Sequence, residues 1–323
     1  MPRRETSALL DQHWRAQARI GAGVSAVALA QWSRVSPLAL AVSGRAWLAV
    51  VLALVRRERA RSRETAAAFL RLYRAVETGR TLPPLDGGDG DDVVTLGELR
   101  EEWARQSETV RLPERDDGER VRVDEFDWPE EPEDDHDRAA VVSLVATGTG
   151  RVQRELEALA EPDDEGPGRL DDPRILAELD ALMGRAGAQA AGVADREALR
   201  GGRAMLDAAS RADRRVIGWA RVTDGDPCAW CAMLASRGAV YRSRAVAGIR
   251  GLNGHDLPPV QRDDLEKYHP MCHCQTVPVY SRAEFMSEQA RSYWQQWQDV
   301  TRGASGPEAL RAWRRHFDAQ RRT

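Results

Sequence analysis

The chain has 323 residues, 30% of them charged and 42% hydrophobic, and a formal net charge of −4. That length allows two or more cores, and the composition marks most of the chain as soluble, which excludes a protein built mainly of membrane spans. Of its 47 basic residues only Lys267 is a lysine; the excess of arginine fits a GC-rich genome, or an arginine-driven nucleic-acid surface.

At the amino terminus, Met1 to Thr6 leads into an amphipathic stretch instead of an apolar segment with a small-residue cleavage site, so we expect a chain made in the cytoplasm. From Ser7 to Val35, Leu9, Leu10, His13, Ile20, Val24 and Val27 recur at helical spacing, and Ser36-Pro37 breaks the run. A long helix is expected from Leu38 to about Glu77, stopped by Gly79. Within it, Leu38 to Val55 is the most apolar window. Ser43-Gly44-Arg45 interrupts it, so we read it as a buried helix too short to span a bilayer and expect no stable membrane association.

The segment Asp86 to Asp137 carries 21 acidic residues against 6 arginines, or −15, which leaves about +11 for the rest of the chain. Such an insert can shield a basic surface, recruit a basic partner or be a solvated loop, and the last is the plainest reading. A short helix fits Glu98 to Arg105. The stretch from Val110 to Asp137 has too little apolar surface to order itself alone, so a long, partly mobile excursion is expected.

Helical patterning resumes at Val141, Val145, Val152, Leu156 and Leu159, weakened by Gly148 and Gly150. Asp172 reads as an N-cap with Pro173 at the first helical position, starting Ile175 to Met183, and another helix is expected from about Arg196 to Trp219. From Val222 the pattern changes to a turn, a Cys-x-x-Cys, a short helix, a strand over Ala239 to Arg242, a loop, and a second strand in Cys274 to Tyr280. Two helices follow Ser281, the second started by Gly306-Pro307-Glu308 and carrying Leu310, Trp313 and Phe317 on one face, for packing on the module or for DNA contact. The expected fold is therefore mainly α in an amino-terminal helical region, with a small α+β, zinc-knuckle-like carboxy-terminal module. Its parts are a helical region at 1–80, an acidic loop-rich insert at 81–137, a helical region at 138–221, a cysteine-rich module at 222–281 and helices at 282–323.

All four cysteines fall in that module, as Cys228-x-x-Cys231 and His269-x-x-Cys272-x-Cys274, with forty residues between Cys231 and Cys272. Paired cysteines at this spacing suit tetrahedral zinc, because a tight turn brings two thiolates to one ion while the second pair arrives from elsewhere. The Cys-x-Cys spacing calls for an extended segment, with Cys272 and Cys274 on one side and His273 on the other. His269 can replace one cysteine or orient a ligand. The competing readings are disulfides, disfavoured by a cytosolic origin, free buried thiols, and a redox Cys-x-x-Cys, for which no preceding strand is obvious. A catalytic alternative is a zinc-containing, HNH-like nuclease using His255, Asn253 and either His269 or His273. Their order and spacing fit that poorly.

The runs Arg221 to Tyr241 and Tyr268 to Tyr280 resemble the MuF-like minor capsid proteins, the phage head-morphogenesis family typified by protein F of phage Mu. Its pattern matches Arg221, Asp224, Cys228, Cys231, His269, Pro270, Cys272 and Cys274, followed by Val277-Pro278-Val279. The likeness covers roughly Arg203 to Tyr280. His273 departs from it, standing where the family often has arginine, and the acidic insert has no counterpart. The resemblance implies a non-enzymatic virion component added during prohead assembly in the host cytoplasm, inside the capsid or at the portal vertex. It also implies work in DNA packaging or ejection, with the portal, capsid and scaffold proteins as partners and packaged double-stranded DNA nearby.

Overall fold

Three long helices carry the architecture of the computed structural model, which describes residues 2–87, 92–111, 114–131, 133–160, 173–238, 268–281 and 287–320. Helix α1 (Pro2–Trp32) turns through a 3-10 segment at Pro37–Ala39 into α2 (Leu40–Thr78). Antiparallel pairing of the two is fixed by Thr6 donating to Glu77 at 2.6 Å, Ser62 to Gln17 at 2.6 Å and the Trp47 indole to the Ala28 carbonyl at 3.0 Å. Gly79 ends α2 in the left-handed region (φ 69°), as its lack of a side chain allows.

The third long helix, α6 (Pro173–Ala212), follows β1 (Arg80–Thr81), β2 (Val93–Thr95), α3 (Leu96–Ser107), β3 (Arg120–Val123), α4 (Glu133–Thr147) and α5 (Thr149–Ala160). It packs against both arms of the hairpin. A Cβ at Gly201 would stand 2.2 Å from the Arg59 carbonyl oxygen, and one at Gly202 would stand 2.7 Å from Ser62 Oγ, so these glycines let the α2 and α6 backbones approach closely. Two cores result. One gathers Trp32, Trp47, Val51, Val55, Leu144 and Leu182; the other gathers Phe69, Leu70, Tyr73, Leu99, Trp103 and Leu206.

Several expectations are corrected. The two helices expected in 175–219 are one rod through Ala212; the intervening run of small residues lacks a large apolar stripe, yet Ala186, Ala190 and Ala194 pack fully buried. Trp219 lies in a strand, because Asp213 pairs with Arg74 just past the helix end and the Ile217 amide donates to the Val279 carbonyl, starting the pairing of β4 (Gly218–Val222) with β5 (Gln275–Val279). The expected strand at Ala239–Arg242 and the cap Asp172 lie outside the described residues.

The acidic segment is not simply a solvated loop. Thr95 and Glu98 form a capping box at the start of α3, and β3 pairs with β1 in parallel and with β2 antiparallel. Its carboxylates meet arginines of α2, Asp124 pairing with Arg74, Glu102 with Arg71 and Asp137 with Arg56 and Arg59. Asp124 also pairs with Arg80 of β1, and within the segment Arg100 pairs with Asp116 and Asp117 and reaches Glu5 of α1. Leu96, Leu99, Trp103 and Val121 of the segment join the core of the bundle, and ion pairs with arginines of α2 add to that order.

The apolar window at the start of α2 is also corrected. By length and composition the helix could cross a bilayer, with an 18-residue window of mean hydropathy 2.1, and only 28% of that window is buried. At the other end of the chain, α7 (Ala229–Ala235), α8 (Glu288–Val300) and α9 (Gly306–Gln320) share a core of Leu234, Tyr293, Trp297, Trp313 and Phe317. The Trp313 indole donates to the Ala229 carbonyl at 2.7 Å, so the apolar face of α9 serves packing.

Candidate metal centre

Two chain segments bring the four thiols together. Cys228 caps α7, its sulfur accepting from the Cys231 amide at 3.4 Å, which turns Cys228 and Cys231 toward the same point. Cys272 and Cys274 lie on the stretch entering β5, which β4 holds in register from Gln275↔Val222 to Val279↔Gly218. Cys231 Sγ and Cys272 Sγ are 3.6 Å apart, and the ligand atoms of Cys231, Cys272 and Cys274 all lie within 4.8 Å of one another, as do those of Cys228, Cys231 and His269. Cys231 belongs to both groups.

The alternation expected of an extended segment is present. Cys272 and Cys274 face the cluster, whereas His273 faces α6 and its Nε2 lies 3.2 Å from Asp195 Oδ2. Asp195 is fully buried, and its hydrogen bond holds the His273 pKa above the ordinary imidazole range. A Cβ at Gly21 would fall 2.0 Å from Asp195 Oδ1, so α1 needs its glycine there. Burial raises the Asp224 pKa.

Two of the four thiols, Cys228 and Cys272, are shifted toward thiolate, and Cys231 and Cys274 are shifted the other way. Hydrogen bonding with Cys231 and with His269 lowers the Cys228 pKa to about 4, and bonds with Cys231 and Cys274 push the Cys272 thiol far down. Cys231, bonded to the other three sulfurs, is raised and keeps its proton. The bond with Cys228 raises His269 to about 9, and its Nδ1 sits 2.6 Å from the Pro270 carbonyl oxygen. The buried Arg221 donates to Cys231 Sγ at 3.4 Å, and Arg203 donates to the Cys272 carbonyl. Both guanidiniums lie over the Tyr268 ring, at 3.8 Å for Arg203 and 4.2 Å for Arg221.

This donor set fits a thiophilic cation. Tetrahedral zinc with bonds of about 2.3 Å separates its sulfurs by about 3.8 Å, close to the 3.6 Å between Cys231 and Cys272, while Cys228 is grouped with Cys231 and His269 and not with Cys272 and Cys274. Four thiolates around a divalent ion leave a net charge of about −2, which the two buried guanidiniums offset. All four cysteines are free thiols. Arg203, Tyr268 and Asp195 are not singled out by the sequence pattern, whereas Arg221 stands in the motif Arg221-x-x-Asp224. His255 and Asn253, invoked for the nuclease alternative, lie outside the described residues.

Comparisons with known proteins meet at this part of the chain. The VG15 protein family matches residues 150–300. The chain is 40% identical over 87 residues to the Gene 15 protein of Mycobacterium phage L5, a match covering 20% of this chain and 30% of that protein. It is 33% identical over 109 residues to the Gene 15 protein of Mycobacterium phage D29, covering 29% of this chain and 40% of that protein. The chain thus spans less than half the length of these relatives. No solved structure matches. Over residues 150–300, which carry the cysteine cluster, the chain is similar to the VG15 protein family, and it is also similar to gene products of mycobacteriophages.

Proposed function

We propose that the chain is a virion-associated phage protein of the MuF-like minor head class, non-enzymatic, acting in prohead assembly and at the portal vertex in DNA packaging or ejection. One observation carries this reading: the segment similar to the VG15 protein family, residues 150–300, in a chain similar to phage Gene 15 proteins, supplies every cysteine of the cluster together with the Arg221-x-x-Asp224 element beside it. The cluster's role in it is structural. Cys228, Cys231, Cys272 and Cys274 would hold a zinc ion, with His269 hydrogen-bonded to Cys228. When bound, the ion supplies cross-links that a module with so small a core otherwise lacks. Arg203 ties the Cys272 carbonyl to α6, and His273 ties the same strand to Asp195, so the knot is anchored to the bundle.

The partners in this reading are the portal, capsid and scaffold proteins, with packaged double-stranded DNA near the exposed arginines Arg311, Arg314 and Arg315 of α9. The test is a phage carrying this gene. The chain should be found in purified particles, and a nonsense mutation in the gene should give heads that fail to package or deliver DNA. Absence of the chain from particles, or normal infectious yield without it, overturns the reading.

A further inference from the structure

The hairpin end of the bundle leaves an apolar surface that no described residue covers. In α2 and the turn before it, Leu38 is 83% exposed, Val42 67% and Val50 48%, and Ala46, Ala49 and Ala53 are exposed beside them. At about 100° per residue, positions 38, 42, 45, 49, 53 and 56 fall on one side of the helix. The facing arm adds exposed Ala22, Ala26, Val27, Leu29 and Ala30. The core-facing side of the same helices is occupied by Trp32, Trp47, Val51 and Val55, so the outer stripe is surplus to the fold.

Charge tells what fits there. No acidic residue occurs between Asp11 and Glu58, while Arg15, Arg19, Arg34, Arg45, Arg56 and Arg57 do. Arg34 and Arg45 are exposed within the apolar stripe, while Arg56 and Arg57 at its base are paired with Asp137 and Glu58. A soluble core helix also reaches the hydropathy of this window, but such a helix is mostly buried, and here the window is 28% buried. Glu157 of α5 borders the hollow beside Leu40, Arg45 and Leu48. The hairpin face itself, however, is apolar along its middle, carries Arg34 and Arg45 and has no carboxylate of its own, which matches an anionic lipid interface: apolar side chains enter the acyl boundary while arginines stay at the headgroups. A protein partner needs no such exclusion of acidic residues over forty-six positions.

We propose that the outer face of the α1–α2 hairpin, residues 22–53, docks on an anionic lipid surface, lying in the interface without spanning it. This rests on the hairpin alone and is independent of the cysteine cluster and of the head-assembly reading.

The experiment is flotation of the full chain with vesicles of phosphatidylglycerol and phosphatidylcholine, against vesicles of phosphatidylcholine alone. The chain should float with the anionic vesicles and little with the neutral ones. Leu38→Glu with Val42→Glu should cut the bound fraction at least about tenfold, since each change removes a buried apolar side chain from the bilayer. Val110→Glu, exposed elsewhere, should leave it unchanged. Circular dichroism checks the fold, and Ala49→Glu with Ala53→Glu, on the same stripe, is the second variant should the first not fold. The proposal is overturned by three results: no flotation with either vesicle, equal flotation with both, or binding that ignores both hairpin variants. A wild-type dimer that these variants dissolve, with no vesicle binding, would assign the face to a second copy instead.

Discussion

Cys231 and Cys272, 41 positions apart in the chain, hold their sulfurs 3.6 Å from each other. The contact is made by two different devices, a helix start that turns one Cys pair inward and a strand held in register that points the other. Neither segment places more than two thiols by itself, so cation binding there requires the module to be folded, and folding of the module gains from the cation.

Purified protein should accordingly contain about one zinc per chain by elemental analysis, as expected for a closed four-thiolate site. Cys272→Ser should lose the metal and increase amide exchange in 218–238 and 268–281 while leaving the α1–α2–α6 bundle protected. Full metal content with unchanged exchange in that variant would count against a structural ion.

Arg221 supplies buried positive charge to the cluster. Arg221→Met should weaken zinc retention by about 10- to 100-fold, as changes beside metal ligands do, read by competition with a chelator. An equal loss of stability in the metal-free state would show instead that the arginine acts only on packing.

Arg74 joins the acidic segment to the bundle, donating to Asp213 and to Asp124, each at 2.7 Å. Arg74→Met leaves the buried Asp213 with the Arg215 amide but without its cationic partner, and should cost about 3–5 kcal/mol in urea unfolding. Asp124, held at about 2 by its bond with Arg80 first and Arg74 second, contributes stability that is present above the ordinary carboxylate value of 3.8 and is lost as pH falls through 2.

His13 gives a second, higher acid transition. It is buried, stacked on Phe69 at a ring distance of 4.0 Å, and neither ring nitrogen has a hydrogen-bond partner among the described residues. Burial lowers its pKa from 6.5 to about 3. Between those values the unfolded chain takes up a proton that the folded chain refuses. Stability from this site is therefore complete above pH 6.5 and declines as pH falls toward 3, by up to about 1.4 kcal/mol per pH unit. His13→Leu should flatten the decline between pH 6 and 4 in thermal melts; an unchanged slope would assign it to other groups.

The periodic parts of the fold were open to reading from the residues. Ala66, Phe69, Leu70 and Tyr73 announce α2, Gly79 ends it, and the Cys-x-Cys spacing yields the strand that sends His273 away from the thiols. Three things were not readable. The middle of α6 buries alanines and glycines, whose helical period is invisible to a search for large apolar residues. The strand β4 looks helical by local sequence and is fixed by pairing with β5, more than fifty residues on. The order of the acidic segment depends on the core and the arginines of a distant helix, α2, which no local window contains. At the cluster, Asp195 and Arg203 escape notice for the same reason, since they reach it from a helix whose own pattern says only that it is buried.

Helix α6 is one unbroken rod of 40 residues, about 60 Å long. Its early turns pack beside Trp32 at the hairpin end, and its later ones hold the cysteine knot through Asp195 and Arg203. A stiff spar of this kind does not absorb displacement along its length. A pull exerted on the hairpin tip is thus delivered to the knot some tens of ångströms away, and the two ends of the molecule move as one lever.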